Sequence, residues 1–148
     1  MRFRQIIASA LTVMCLCTCF STTVSAKTVS TFSLVNSISP LYDIADSAYS
    51  ELNIVGTKAE CVSKVSGDNT TKITVEQTLQ KYSGWFWIWD DVDGASWTRT
   101  ENKSSVNLSN TKSGLTSGTY RVKSMFTLTD KNGKTETLTI YSDEVSVN

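Results

Sequence analysis

Thr71-Lys72-Ile73-Thr74-Val75-Glu76-Gln77-Thr78-Leu79-Gln80-Lys81-Tyr82, followed by Ser83-Gly84 and then Trp85-Phe86-Trp87-Ile88-Trp89-Asp90, reads as two strands joined by a tight reversal. Ile73, Val75 and Leu79 alternate with Lys72, Thr74, Glu76, Thr78 and Gln80, the pattern of a strand with one buried face. Ser83-Gly84 supplies a two-residue turn, because glycine reaches the positive φ such turns require. In that register Tyr82 faces Trp85, Lys81 faces Phe86, Gln80 faces Trp87 and Leu79 faces Ile88. Cross-strand partners share a face, so Trp85, Trp87 and Trp89 are expected on the outer face with Thr78, Gln80 and Tyr82. A three-residue loop would exchange the faces and place the three tryptophans in the core, which is the competing reading.

An outward row of this kind is an apolar patch of the sort that marks a contact site. Rings two residues apart along a strand, roughly 7 Å, can stack on sugars or hold a partner's side chains. Tyr82, Trp85, Trp87 and Trp89 are therefore the candidate ligand-binding residues.

Outward from this hairpin, the chain keeps alternating between short strands and turn signals. Leu52 and Ile54 alternate through Tyr49 to Val55, and Gly56 follows; Ala59, Cys61, Ser63 and Val65 alternate up to Ser66-Gly67-Asp68-Asn69. Asp90-Asp91-Val92-Asp93-Gly94 reads as a loop, Ala95 to Ser105 as a polar stretch, and Val106 with Leu108 as a short strand. A longer strand runs from Leu115 through Val122, Phe126 and Leu128. Asp130-Lys131-Asn132-Gly133 then fits a type I turn closed by a glycine bulge. That loop sets Phe126 opposite Leu138 and Ser124 opposite Ile140, whereas a two-residue turn would set Phe126 against Thr139. About seven short strands without a helical period predict an all-β, antiparallel, immunoglobulin-like β-sandwich over residues 47–148.

The N-terminal residues have a different character. Arg2 and Arg4 precede an apolar run from Ile6 to Phe20, and Val24-Ser25-Ala26 presents small residues where a signal peptidase cuts. Residues 1–26 are read as a signal peptide cleaved after Ala26, since the run is shorter than the roughly 20 residues a spanning helix needs. The mature chain is expected to be secreted, without a membrane span. Residues 27–46, Ser/Thr-rich with the single proline Pro40, are read as an extended or partly ordered arm. Lipid attachment at Cys19 is disfavoured by Thr18 immediately before it.

The 148 residues are 40% hydrophobic and 19% charged with a formal net charge of +0, and loss of Arg2 and Arg4 leaves the mature chain slightly acidic. Neither nucleic acid nor an anionic membrane is favoured by that balance. Cys15, Cys17 and Cys19 leave with the signal, so Cys61 is alone and no internal disulfide is expected. The chain has no histidine, which removes histidine-based triads and acid–base chemistry along with the usual zinc sets. Asp90, Asp91, Asp93 and Gly94 resemble part of a calcium loop. Trp89, however, occupies the place of the first aspartate and Thr100 that of the bidentate glutamate, so no metal or cofactor is assigned and calcium at Asp91 and Asp93 is left open.

Leu115-x-x-Gly118-x-Tyr120-x-Val122 resembles the tyrosine corner of immunoglobulin-like and fibronectin-type domains. The resemblance implies that Tyr120 returns its hydroxyl to the upstream backbone and that Cys61 and Val122 occupy the two disulfide positions without a bridge. Ala59-x-Cys61, Lys72-Ile73-Thr74-Val75, Leu79-Gln80-Lys81, Trp85, Gly118-x-Tyr120-Arg121-Val122, Gly133-Lys134-x-Glu136 and Tyr141-Ser142 resemble an uncharacterised family of small secreted proteins of Gram-positive, largely gut-dwelling bacteria. That likeness implies location and fold and supplies no activity. The expected function is non-catalytic surface contact with a protein or cell-surface partner through the aromatic patch. A carbohydrate-binding module using the same rings is the alternative; with core tryptophans, the function would be open.

Overall fold

The computed structural model describes residues 42–84 and 88–148. Strands β1 (Ser47–Val55), β2 (Lys58–Ser66) and β5 (Ser105–Lys112) form one antiparallel sheet in the order β1-β2-β5. The other sheet runs β4-β3-β6-β7, built from β3 (Thr70–Ser83), β4 (Ile88–Glu101), β6 (Gly118–Asp130) and β7 (Thr135–Tyr141). An eighth strand, β8 (Val145–Val147), pairs with the start of β6, one more than the sequence pattern suggested. The alternations decide which faces meet. Ala59, Cys61, Ser63 and Val65 of β2 are fully buried, as are Ile73, Val75, Gln77 and Leu79 of β3.

Polar residues interrupt the core at one level. Gln77 pairs with Ser124 across β3 and β6, and its Nε2 donates to Ser63 Oγ at 2.7 Å and to the Leu108 carbonyl at 3.3 Å. Asn110 Nδ2 donates to Gln77 Oε1 at 2.9 Å, while Ser63 and Ser124 share a 2.6 Å hydroxyl bond that continues to Ser50 at 2.8 Å. This seam joins both sheets and separates two apolar clusters, one around Ile73, Val75 and Phe126, the other around Leu79, Tyr120 and Val122. Each buried polar atom in such a seam needs its partner, since an unpaired one would cost free energy.

The turn after β6 forms as its residues dictate. Asp130 N–H donates to the Lys134 carbonyl at 2.9 Å, Asp130 Oδ1 accepts from the backbone of Asn132 and Lys134, and Gly133 sits at φ 82°. Phe126 consequently lies opposite Leu138 and Ser124 opposite Ile140, the predicted register. The tyrosine corner is also present: Tyr120 Oη donates to the Thr116 carbonyl at 2.7 Å. Cys61 and Val122 are fully buried in the same cluster. Burial, aided by the charge of Glu60, pushes the Cys61 thiol up to about 12, so it stays protonated and unreactive.

The β3–β4 hairpin departs from expectation. Its last pair is Ser83 with Ile88, so the Ser83-Gly84 two-residue turn is replaced by a longer connection. Tyr82 now faces Trp89 in place of Trp85, and Gln80 faces Asp91 in place of Trp87. The displacement is an even number of residues, which preserves the faces. A second irregularity lies where the sequence reading placed the Asp90–Gly94 loop and the polar stretch from Ala95. Both belong to β4 as far as Glu101. Thr78 pairs with Ser96 and Gln80 with Asp91, so Leu79 alone stands opposite Val92-Asp93-Gly94-Ala95. The bulge turns on Gly94, at φ 64°. Its odd excess of residues exchanges the faces of β4, bringing Trp97 opposite Gln77 and inward against both apolar clusters.

Residues ahead of β1 are held by Glu136 of β7. Its carboxylate accepts the backbone N–H groups of Asp43, Ile44 and Ala45 at 2.9, 2.9 and 3.1 Å, and Lys134 Nζ pairs with Asp43 at 2.9 Å. Ile44 and Ala45 are buried in the first cluster, so the end of the arm is packed onto the sandwich. Residues 27–41 of the arm and the whole of 1–26 lie outside the described residues. Partial burial disfavours the Glu136 anion, and Asp43 adds to that. The three backbone N–H bonds outweigh them, and the carboxyl is held below its ordinary value. A depressed carboxyl contributes stability above its unfolded pKa and loses it as pH falls through the folded one. The anchor of Ile44 and Ala45 should thus hold at neutral pH and weaken below the ordinary glutamate range. Amide exchange at Ile44 and Ala45 should accelerate there, and Glu136→Gln should remove most of that pH dependence. Equal acid sensitivity in the variant would contradict the assignment.

Candidate functional site: an aromatic and arginine cluster on the outer sheet face

Four neighbouring strands each contribute to one patch at the hairpin end of the larger sheet. Tyr82 of β3 and Trp89 of β4 are directly opposed, with ring centroids 5.4 Å apart and planes inclined at 55°. Arg121 of β6 pairs with Gln80, and Tyr141 of β7 pairs with Lys123, one outward position along from Arg121. The Arg121 guanidinium carbon lies 4.0 Å from the Trp89 ring centroid and 4.1 Å from that of Tyr141, so the cation is clamped between two rings. Each such contact contributes roughly 0.5–1 kcal/mol at an exposed site.

The clamp has a polar footing. Arg121 Nε donates to Gln80 Oε1 at 3.1 Å, and Gln80 Nε2 donates to Asp91 Oδ1 at 2.8 Å. Gln80 is 6% exposed although it points away from the core, because the cluster covers it. Tyr141, 47% exposed, leaves apolar surface at the margin of the patch.

Of the four residues proposed from sequence, Tyr82 and Trp89 fall together on the outer face, while Trp85 and Trp87 lie outside the described residues. Arg121 and Tyr141 were not singled out. Their link to Trp89 is a pairing of β6 with β3 and with β7, and alternation within one strand carries no such information.

On the other side of the hairpin, a cleft of about 430 Å³ is lined by Lys81, Asp90, Val92, Lys112, Leu115 and Tyr120, among others. Its cations are already engaged with neutral oxygens: Lys81 Nζ donates to Thr116 Oγ1 at 2.7 Å and Lys112 Nζ to the Asp93 carbonyl at 2.6 Å. Asp90, Asp91 and Asp93 stand along one strand. Among the described residues no group of three or more potential ligands converges to hold a metal ion, and no helix is long and apolar enough to cross a membrane. Chemically, both the cleft and the patch offer hydrogen bonds, charge and ring surface suited to binding.

No protein-family model and no curated protein matches the chain. Among solved structures it is similar to wild type OgpA from Akkermansia muciniphila in two crystal forms. One has a TM-score of 0.39 at 15% identity, covering 72% of this chain and 31% of that one; the other has 0.37 at 16%, covering 70% and 29%. The chain spans less than a third of OgpA, and likeness at that level transfers neither fold nor function.

Proposed function

We propose that the protein is a secreted, non-catalytic β-sandwich that acts by surface contact, docking a protein at a cell surface through Tyr82, Trp89, Arg121 and Tyr141. Trp85 and Trp87 belong to this proposal on sequence grounds. The observation that carries it is the clamp of Arg121 between Trp89 and Tyr141 on an outward sheet face. Trp, Tyr and Arg are the residue types that dominate protein–protein hot spots, and a pre-ordered side chain loses little entropy on docking. The same clamp argues against the carbohydrate-binding alternative. A sugar stacks on a ring face, and one face each of Trp89 and Tyr141 is taken by the guanidinium.

The test is binding of the labelled exported protein to intact Gram-positive cells, to protease-shaved cells, and in competition with soluble polysaccharide. Loss of binding on shaving, together with a weakening of about 30-fold or more in Trp89→Ala at unchanged fold, is the expected result. Binding that survives shaving and yields to polysaccharide would transfer the patch to glycan recognition. Equal binding by Trp89→Ala would remove the patch from the function altogether.

A further inference from the structure

We propose that Arg121 is a receptor for a carboxylate on an acidic peptide segment of the docked protein; this rests on the surface-contact reading above. Two rings and an amide hold the guanidinium. Its carbon lies 4.0 and 4.1 Å from the Trp89 and Tyr141 ring centroids, so both rings crowd it, and its Nε is spent on the amide oxygen of Gln80. Gln80 in turn gives its own N–H to Asp91, so that carboxylate is bound to the amide and not to the arginine. A neutral acceptor therefore orients Arg121 without neutralising it. Its two terminal amino groups take no hydrogen bond and no ion pair among the described residues.

A planar guanidinium flanked this closely by two rings, with its Nε engaged, is open along the edge that carries its terminal amino groups. In that plane its N–H groups form the fork that matches the two oxygens of a carboxylate. Lys123, the next outward residue of β6 and the register partner of Tyr141, adds a second cation roughly 7 Å away along the strand. It too has no ion pair among the described residues. Asp91 on this face is engaged by Gln80, Glu76 lies farther along β3 opposite Met125, and Asp143 and Glu144, exposed between Tyr141 and β8, form no ion pair among the described residues. The clamped end of the face therefore presents the unpaired cations Arg121 and Lys123 beside rings, which complement an acidic segment carrying apolar side chains. An acidic polysaccharide has the same carboxylate, but its pyranose rings would find one face of Trp89 and one of Tyr141 already taken by the guanidinium.

The decisive experiment follows the Arg121 Nε–H and Trp89 indole resonances of the purified protein. The probes are a short peptide of alternating Glu and Ala, its Gln and Ala counterpart, and polygalacturonate, each into the millimolar range. A saturable shift at Arg121 with the acidic peptide alone is expected. That affinity should fall about 10-fold or more in Arg121→Gln and fall measurably in Arg121→Lys, which keeps the charge and loses the fork. Lys123→Gln, at the sheet surface and outside the clamp, should weaken the peptide with Arg121 and Trp89 still in contact.

The inference is overturned if the acidic peptide leaves Arg121 unmoved, if Arg121→Gln and Arg121→Lys bind it as tightly as the parent, or if polygalacturonate alone moves these resonances. Failure of the surface-contact reading looks different, because Trp89→Ala would then bind cells like the parent. Cell binding that is lost in Trp89→Ala yet untouched by excess acidic peptide would keep the patch and discard its carboxylate receptor.

Discussion

Replacing Gln77 with leucine should lower the stability of the sandwich by about 2–4 kcal/mol, although leucine is apolar and similar in volume. Gln77 is fully buried and connects the sheets: it donates to Ser63 and Leu108 and accepts from Asn110. Leucine would leave the Asn110 amide and the Leu108 carbonyl short of partners, and would leave Ser63 with Ser124 alone. Stranded polar groups carry their full desolvation cost, and this outweighs any gain from apolar contact. Chemical denaturation of the variant gives the value. The companion test is the combined change of Gln77→Leu, Ser63→Ala and Ser124→Ala. Removing the hydroxyls along with the amide should recover part of the loss, because fewer polar atoms are then left without partners. A Gln77→Leu protein as stable as the parent would show that the seam does not hold the sheets together.

Trp97 and Trp89 should separate in the opposite sense to their sequence proximity. Both lie on β4, but the bulge at Val92 to Ala95 turns Trp97 inward against both clusters and leaves Trp89 in the outer patch. Trp97→Ala removes a half-buried ring packed against both clusters and should cost about 2 kcal/mol or more. Trp89→Ala removes a tilted ring contact and one cation contact at the surface, worth about 1 kcal/mol, and should lose binding instead. Thermal or denaturant unfolding of the two variants decides it. A larger stability loss from Trp89→Ala than from Trp97→Ala would reverse the assignment of faces.

Much of this was legible in the local pattern. The alternations through Ala59, Cys61, Ser63 and Val65 and through Ile73, Val75 and Leu79 mark buried faces, and they are buried. Asp130-Lys131-Asn132-Gly133 specified its own bulged turn because an aspartate cap and a glycine at positive φ act within a few residues. Ser83-Gly84 had no comparable constraint, and the hairpin closes at Ser83 and Ile88. The outward placement of Trp89 survived because the displacement was even; an odd one would have reversed it.

What alternation could not reach was anything requiring an offset between strands. The bulge opposite Leu79, the inward turn of Trp97 and the meeting of Trp89, Arg121 and Tyr141 depend on how β4, β3, β6 and β7 are aligned. A strand's period of two is set by the bonds of its own backbone, so it is written residue by residue. The alignment of four strands is chosen by the packing they achieve together, and that choice put an arginine between two rings far apart in the chain.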